Sequence, residues 1–374
     1  MNEDSYDVIV IGGGQAGLSV GHHLAKQNLR FVILDENERV GDSWRKRWDS
    51  LRLFTPARFN GLPGMSFHAP KWSFPTKDEM ADYLEAYADR FALAVRRRAH
   101  VNGVAPDDGR FVVDLGDERL EARNVVVATG AHRVPKLPKF ASQLDPTIVQ
   151  LHSADYRNPA QLQEGDVLVV GVGNSGAEIA YELAETRRCL VAGASKGEIP
   201  VPHGSRRSRV MFRALRFFGH HVARADTRIG RKLGAKFAAN GPPLIRRKEA
   251  DLTAVGIERV ARVVGVQDGL PVLEDGRVVD VPNVIWSTGF RTDYAWIDLP
   301  AFDDDGRPVH ERGVVVEVPG LYFAGLVFQY SLTSDVLPNG GRDAEYIVRH
   351  IAARMAKEPV TRQAQPVLEE SPAA

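Results

Sequence analysis

The chain has 374 residues, 44% hydrophobic and 26% charged, as expected of a soluble globular protein of about two domains. Its formal net charge is zero, so no bulk field draws it toward nucleic acid or membrane. The single cysteine, Cys189, excludes an intrachain disulfide framework, a multi-cysteine zinc site and a redox-active cysteine pair.

The start, 1–7, is acidic and polar and lacks the basic and apolar stretches of a signal peptide. No apolar run approaches the roughly 18 residues that span a bilayer, so a cytoplasmic location is expected. The run 6–11 reads as a first strand, followed by a glycine turn, a helix over 15–27 and a second strand, Phe31–Leu34, that ends at Asp35. The stretch 44–75, rich in proline and aromatics, reads as ordered loop. A helix is expected over 76–94, with Thr76 as N-cap. Short strands follow at 111–115 and 124–128. The same grammar then restarts: strand 166–171, turn 173–176, helix 177–186, strand Cys189–Ala192 and, later, strand 283–287. This repeat implies an α/β fold of two Rossmann-like dinucleotide-binding domains, the second inserted into the first. The expected division is 1–160, 161–285 and 286–356, with a flexible tail over 357–374.

Gly12-Gly13-Gly14-Gln15-Ala16-Gly17 has the spacing of a dinucleotide turn. Gly12 permits the tight turn, Gly14 lets backbone approach a pyrophosphate, and Gly17 lets the helix pack on the strand. Phosphates favour the helix N-terminus, where N–H groups and the dipole meet them. Asp35, followed by Glu36, stands where an acid receives a ribose hydroxyl. Gly171-Val172-Gly173-Asn174-Ser175-Gly176 repeats the pattern. The strand after its helix leads to Ser195 and Lys196 with no acid, which suits a 2′-phosphate and hence NADPH. Arg206 and Arg207 are further cations for that role, and a solvated surface lysine is the plain alternative for Lys196. Ala128-Thr129-Gly130 and Ser287-Thr288-Gly289 close matching strands; each taken alone is an ordinary exit from a strand.

These residues, with Gly41-Asp42-Ser43-Trp44 and 319–325, resemble the flavin-containing monooxygenase group of flavoproteins with two dinucleotide-binding domains. The family's identifying stretch is matched at His152 and Tyr156 but not upstream, where Pro146 and Ile148 replace its Phe and Gly. The chain is therefore similar to a bacterial branch, near the arsenic- and potassium-transport-associated flavoproteins. The resemblance implies FAD on the first motif, with Ser43, Trp44, Val101, Ala128, Thr129, Gly130 and Gly325 around it. Arg342 and Ala344 would lie in a helix opening toward the flavin. It implies NADPH on the second motif, with Thr288 and Gly289. It also implies transfer of one oxygen atom, through a C4a-(hydro)peroxyflavin, to a small soft nucleophile or carbonyl. Asn60, Gln329 and Asn174 are candidate amides for the cleft, and ordinary loop or cap residues otherwise. The loops 51–73 and 328–339 are expected to shape the pocket. A flavin reductase without oxygen insertion, and a nucleotide-sensing subunit of a transporter or other partner, are the alternative functions.

The segment 203–248 is strongly basic, with Asp226 as its one acid and aromatic and aliphatic residues interleaved. It reads as a lid beside the NADPH phosphate, a face for an acidic membrane, or a solvated helical excursion or subunit contact. Small-molecule substrate and oxygen are the expected partners, with a homodimer in view. Neither nucleic acid nor membrane is expected. The histidines, including His22, His23 and His132, have no metal-ligand spacing.

Overall fold

The computed structural model describes residues 4–130, 134–240, 242–334, 336–337 and 340–357, with backbone alone at 235–240. The chain opens with β1 (Ser5–Ile11), α1 (Gln15–Ala25) and β2 (Phe31–Leu34), then α2 (Asp42–Arg45) and α3 (Lys77–Arg90). Next come β3 (Val95–Arg96), the hairpin of β4 (Gly103–Asp107) and β5 (Arg110–Asp114), and β6 (Arg119–Val127). β7 (Val134–Pro135) leads to β8 (Val149–His152), β9 (Val167–Val170), α4 (Asn174–Leu183) and β10 (Cys189–Ala192). Three helices follow, α5 (Arg206–His221), α6 (Arg228–Asn240) and α7 (Glu249–Ala254). Then come β11 (Glu258–Val260), β12 (Val263–Gln267), β13 (Leu270–Leu273) and β14 (Asn283–Trp286). β15 (Phe290–Arg291), β16 (Leu321–Phe323) and α8 (Gly340–Lys357) complete the described chain.

The first sheet has the order β3-β2-β1-β6-β5-β4, with β16 also paired to β6. Its β1, β2, β3, β6 and β16 pairings are parallel, and the β4–β5–β6 meander is antiparallel. The second sheet, β11-β10-β9-β14-β8, is parallel throughout. Its central strands Val167–Val170 and Asn283–Trp286 are buried at every position, because helices and loops cover both faces. β7 and β15 pair antiparallel, so the outgoing and returning crossings between the sheets run side by side.

The two-unit α/β fold therefore matches expectation, the second unit being spliced between β6 and β16. β8 lies ahead of residue 160 yet pairs with β14 in the second sheet. Element ends moved where local geometry intervenes. α4 starts at Asn174 rather than at 177, because Gly173 is already its extended N-cap. α1 stops at Ala25 and α3 at Arg90. Thr76 caps α3 in a capping box, its hydroxyl accepting from Glu79 N at 3.1 Å while Glu79 accepts from Thr76 N at 2.7 Å. Lys357 ends α8; the rest of the expected tail, 358–374, and His132 lie outside the described residues. No helix among the described residues is long and apolar enough to cross a membrane.

Candidate functional site

The two glycine turns have the same construction. Gly12 and Gly171 adopt φ of +110° and +107°, a region that favours glycine. A Cβ on Gly12 would lie 2.5 Å from the Ala128 carbonyl oxygen, and one on Gly171 would lie 2.4 Å from that of Ser287. The paired strand ends therefore play matching parts: each turn rests on the backbone of one of them, at Ala128 and at Ser287. A Cβ on Gly17 would lie 1.9 Å from Gly12 O, and one on Gly176 2.1 Å from Gly171 O, so each helix is seated on its own turn. Gly14 and Gly173, in contrast, have nothing within 4 Å of an added Cβ. Both are extended N-caps with no side-chain cap, and neither helix carries an acid in its first turn. Two helix N-termini thus point their N–H groups into open space, a cradle that fits a dinucleotide pyrophosphate.

Asp35 sits just past β2, 6% exposed, its Oδ1 accepting from Asn37 N and Nδ2, both at 2.8 Å. A Cβ on Gly13 would come within 2.3 Å of Asp35 Oδ2. Gly13 therefore belongs to the site although the GxGxxG spacing does not demand it. Glu36 is exposed and approaches His100 Nδ1 at 3.2 Å. Val101 is buried in the core beside β2 and β6. Trp44 packs partly buried against the main core, and Ser43 is exposed. Thr129 is half-buried and Gly130 exposed at the end of β6.

A cleft beside α1 is lined by Gln15, Ala16, Leu62, Gly325, Ser334 and Gly340. Gly325 presses on Ala16, where a Cβ would meet Ala16 Cβ at 2.8 Å. Gly341 presses in the same way on Pro63, so the start of α8 abuts the loop around Leu62. That loop is held by α3: Leu62 N donates to Tyr83 Oη at 2.6 Å, Tyr83 donates to Met65 O, and Tyr87 donates to Pro63 O. Burial raises both phenols above their usual range, which keeps them neutral donors. The loops 51–73 and 328–339 thus do meet at this cleft, through Leu62 and Ser334; Asp335, Pro338 and Asn339 lie outside the described residues.

In α8, Ala344 is buried and Arg342 exposed. Asp343 is 3% exposed, and burial raises its carboxyl although Ser334 and Arg312 hydrogen-bond to it. Arg312 Nε lies 3.3 Å from Asp343 Oδ1, and its guanidinium stacks on Tyr330 and Tyr346 at 3.9 and 4.3 Å.

The three candidate amides each have a structural task. Asn60 is fully buried; it accepts from Thr55 Oγ1 at 2.6 Å and donates to Thr55 O at 3.1 Å. Gln329 accepts from Leu326 N and donates to Arg312 O. Asn174 donates to Pro243 O and accepts from Ile245 N at 2.9 Å, tying the end of the basic segment to the second turn.

His152 and Tyr156 also tie elements together. His152 Nε2 lies 3.1 Å from Gly289 O and its Nδ1 accepts from Ala154 N. Burial lowers this imidazole below its usual range, favouring the neutral form that the two bonds require. Tyr156 donates to Glu182 of α4 at 2.9 Å. Thr288 donates to Lys136 O, joining the two crossings at the strand end. Ser195 is half-buried after β10, and Lys196 and Arg206 are exposed. The sequence reading overlooked Arg259 on β11, whose Nη2 donates to Gly193 O at 2.7 Å. Its Nη1 is buried with no partner among the described residues. Nothing in the spacing announces it, because β11 is three residues long and its register against β10 supplies the contact.

Cys189 is buried, its thiol pushed up to about 12 by burial, and is inert packing in β10. Among the described residues no group of three or more His, Cys, Asp or Glu is placed to hold a metal ion.

Residues 9–198 match the family model described as pyridine nucleotide-disulphide oxidoreductase. A relative in Geobacillus kaustophilus (strain HTA426), described as uncharacterized oxidoreductase CzcO-like, is 39% identical over 347 residues, 92% of this chain and 98% of that protein. The uncharacterized oxidoreductase CzcO of Bacillus subtilis (strain 168) is 38% identical over 92% of this chain and 99% of its own length. The solved flavin-containing monooxygenase from Stenotrophomonas maltophilia has a TM-score of 0.71 at 28% identity, covering 94% of this chain and 99% of that one. The chain thus belongs to the pyridine nucleotide-disulphide oxidoreductase family, on its flavin monooxygenase-like, CzcO-like side, and is an oxidoreductase.

Proposed function

We propose that this enzyme binds FAD at the first glycine turn and NADPH at the second, and uses them to insert one oxygen atom from O2 into a small molecule. The observation that carries the reading is the duplicated cradle. Gly14 and Gly173 open onto free space at two helix N-termini, while Gly12 and Gly171 rest on Ala128 and Ser287. When bound, the flavin supplies hydride acceptance and oxygen activation. The chain's own residues bind, orient and exclude water. Asp35 receives the adenosine ribose of FAD, with Ser43, Trp44 and Val101 nearby. The start of α8, at Gly340 and Gly341, offers N–H groups and a dipole to developing negative charge on the flavin. Lys196, Ser195 and Arg206 take the 2′-phosphate of NADPH, joined by Arg259.

The domain division follows the sheets. We place the crossing into the second unit ahead of β8, near 148, rather than at 160, and the return at β15. The substrate class is a soft nucleophile or a carbonyl compound, and the enzyme works in the cytoplasm.

A reductase that passes electrons without inserting oxygen is a second reading. It is favoured by the commitment of Asn60, Gln329 and Asn174 to partners within the protein. Purified protein should retain or take up FAD and oxidise NADPH faster than NADH. With a panel of amines, sulfides and ketones under 18O2, label should enter the product. NADPH oxidation with no labelled product across the panel moves the assignment to the reductase. Failure to bind FAD overturns both readings.

A further inference from the structure

Apart from Arg206, the basic segment between β10 and β11 is not absorbed by the reading above. In α5, Ser208, Phe212 and Gly219 form the buried face. About two hundred degrees round the helix lie Val210 and Phe217, 67% and 64% exposed, seven residues apart and so on one stripe. Ile229, at the start of α6, is 50% exposed. On the same two helices Arg207, Arg213, Arg216, Arg228, Arg231 and Lys232 are exposed, with the guanidinium of Arg213 over the Trp72 ring and that of Arg216 over the Phe59 ring. None of the six forms an ion pair among the described residues. Asp226 is already paired with Arg224 at 2.7 Å. The whole chain has zero net charge, so this excess is local to the segment.

We propose that α5 and the start of α6 form a peripheral docking face for an anionic lipid bilayer, the helices lying in the plane of the headgroups. Charge complementarity selects the occupant. Exposed cations carried on the same helices as exposed aliphatic and aromatic side chains match a surface that offers phosphates above an apolar interior. A second copy of the chain fits poorly, because a two-fold contact through this face sets the same cations against each other. A nucleic acid satisfies the arginines but gives Val210 and Ile229 no apolar partner. The contact is peripheral, since no described helix can span the bilayer. This revises the expectation that the chain touches no membrane.

The face is coupled to the cleft. Gly219 packs on Thr333, where a Cβ would meet Thr333 Cγ2 at 2.8 Å. Leu332 N donates to Ala223 O and Ala225 N to Tyr330 O. The lipid-facing helix therefore lies directly over the segment that carries Ser334 into the cleft.

The test is co-sedimentation of the full chain with vesicles of pure phosphatidylcholine or of phosphatidylcholine with about one-third phosphatidylglycerol, at low and at high salt. The face predicts at least about tenfold stronger partition onto the anionic vesicles, reversed by salt. The Val210→Ser and Phe217→Ser double variant should lose about tenfold or more of that binding. Arg228→Gln with Lys232→Gln should lose a similar amount. All four side chains are exposed and outside the dinucleotide cradles, so melting temperature and NADPH oxidation should be unchanged. Equal binding to both vesicle types overturns the proposal. So does a Val210→Ser/Phe217→Ser variant that binds as the wild type does, or a wild-type chain that binds a duplex DNA more tightly than the anionic vesicles. These results leave the oxidoreductase reading untouched, because they are read without turnover.

Discussion

A Cβ on Gly13 would lie 2.3 Å from Oδ2 of Asp35. The second glycine of the first turn is therefore required by the acid beyond β2, not by the turn's own backbone. Asp35 is 6% exposed and held by Asn37, so it has little room to withdraw. Gly13→Ala should push the carboxylate out of place. We expect FAD affinity to fall about tenfold or more, equivalent to about 1.4 kcal/mol, with the fold retained. The flavin-to-protein ratio after dialysis, alongside circular dichroism, measures it.

The second site should separate its two nucleotides by charge. Lys196→Ala and Arg259→Ala should each lower kcat/KM for NADPH by about tenfold and leave that for NADH within about twofold. Arg259 also pairs with Glu249 at 3.2 Å, so Glu249→Gln serves as a control for loss of that pair alone. An unchanged NADPH to NADH ratio in both cation variants removes them from the phosphate site.

Glu178 of α4 gives a pH signature. Burial lifts its carboxyl from 4.5 to about 7, although Arg246 and Arg247 pull it down. Arg246 reaches Glu178 at 2.7 Å and also donates to Arg52 O at 3.0 Å, clamping the second unit to the first. Between pH 4.5 and about 7 the folded chain holds a proton here that the unfolded chain has lost. The resulting stability is full below 4.5, declines as pH rises and is gone above about 7. Glu178→Gln removes this dependence. Its melting temperature should fall less than that of the wild type from about pH 5 to about pH 8.

His22 acts in the opposite direction. It lies 3% exposed within α1 against Phe91, with ring centroids 4.3 Å apart, and its Nε2 has no partner among the described residues. Burial, then Lys26 and His23, hold its imidazole at about 4 rather than 6.5. Its folded form therefore refuses a proton that the unfolded chain accepts between those values. The stabilising effect is full above 6.5 and is lost as pH falls through about 4. His22→Leu should lower the midpoint of acid unfolding by about half a pH unit, followed by far-ultraviolet circular dichroism.

The sequence by itself determined the α/β class, the two glycine turns, their strand–turn–helix setting and the lone cysteine. Those features are local: a φ near +110° at Gly12, or an all-apolar strand such as Val167–Val170, is written in neighbouring residues. The paired strand ends at Ala128 and Ser287 were also legible as a repeat. Their purpose was not, since each serves as the seat for a glycine more than a hundred residues away. Only the tertiary structure decided that β8 belongs to the second sheet and that Gly13 answers to Asp35. It alone brings Arg259 to the end of β10 and commits Asn60, Gln329 and Asn174 to partners within the protein. The physical reason is common to all of these. Packing and hydrogen bonding between distant segments leave no period or spacing in the chain, so an amide that could serve a ligand and one that pins a loop read alike until their partners are in place.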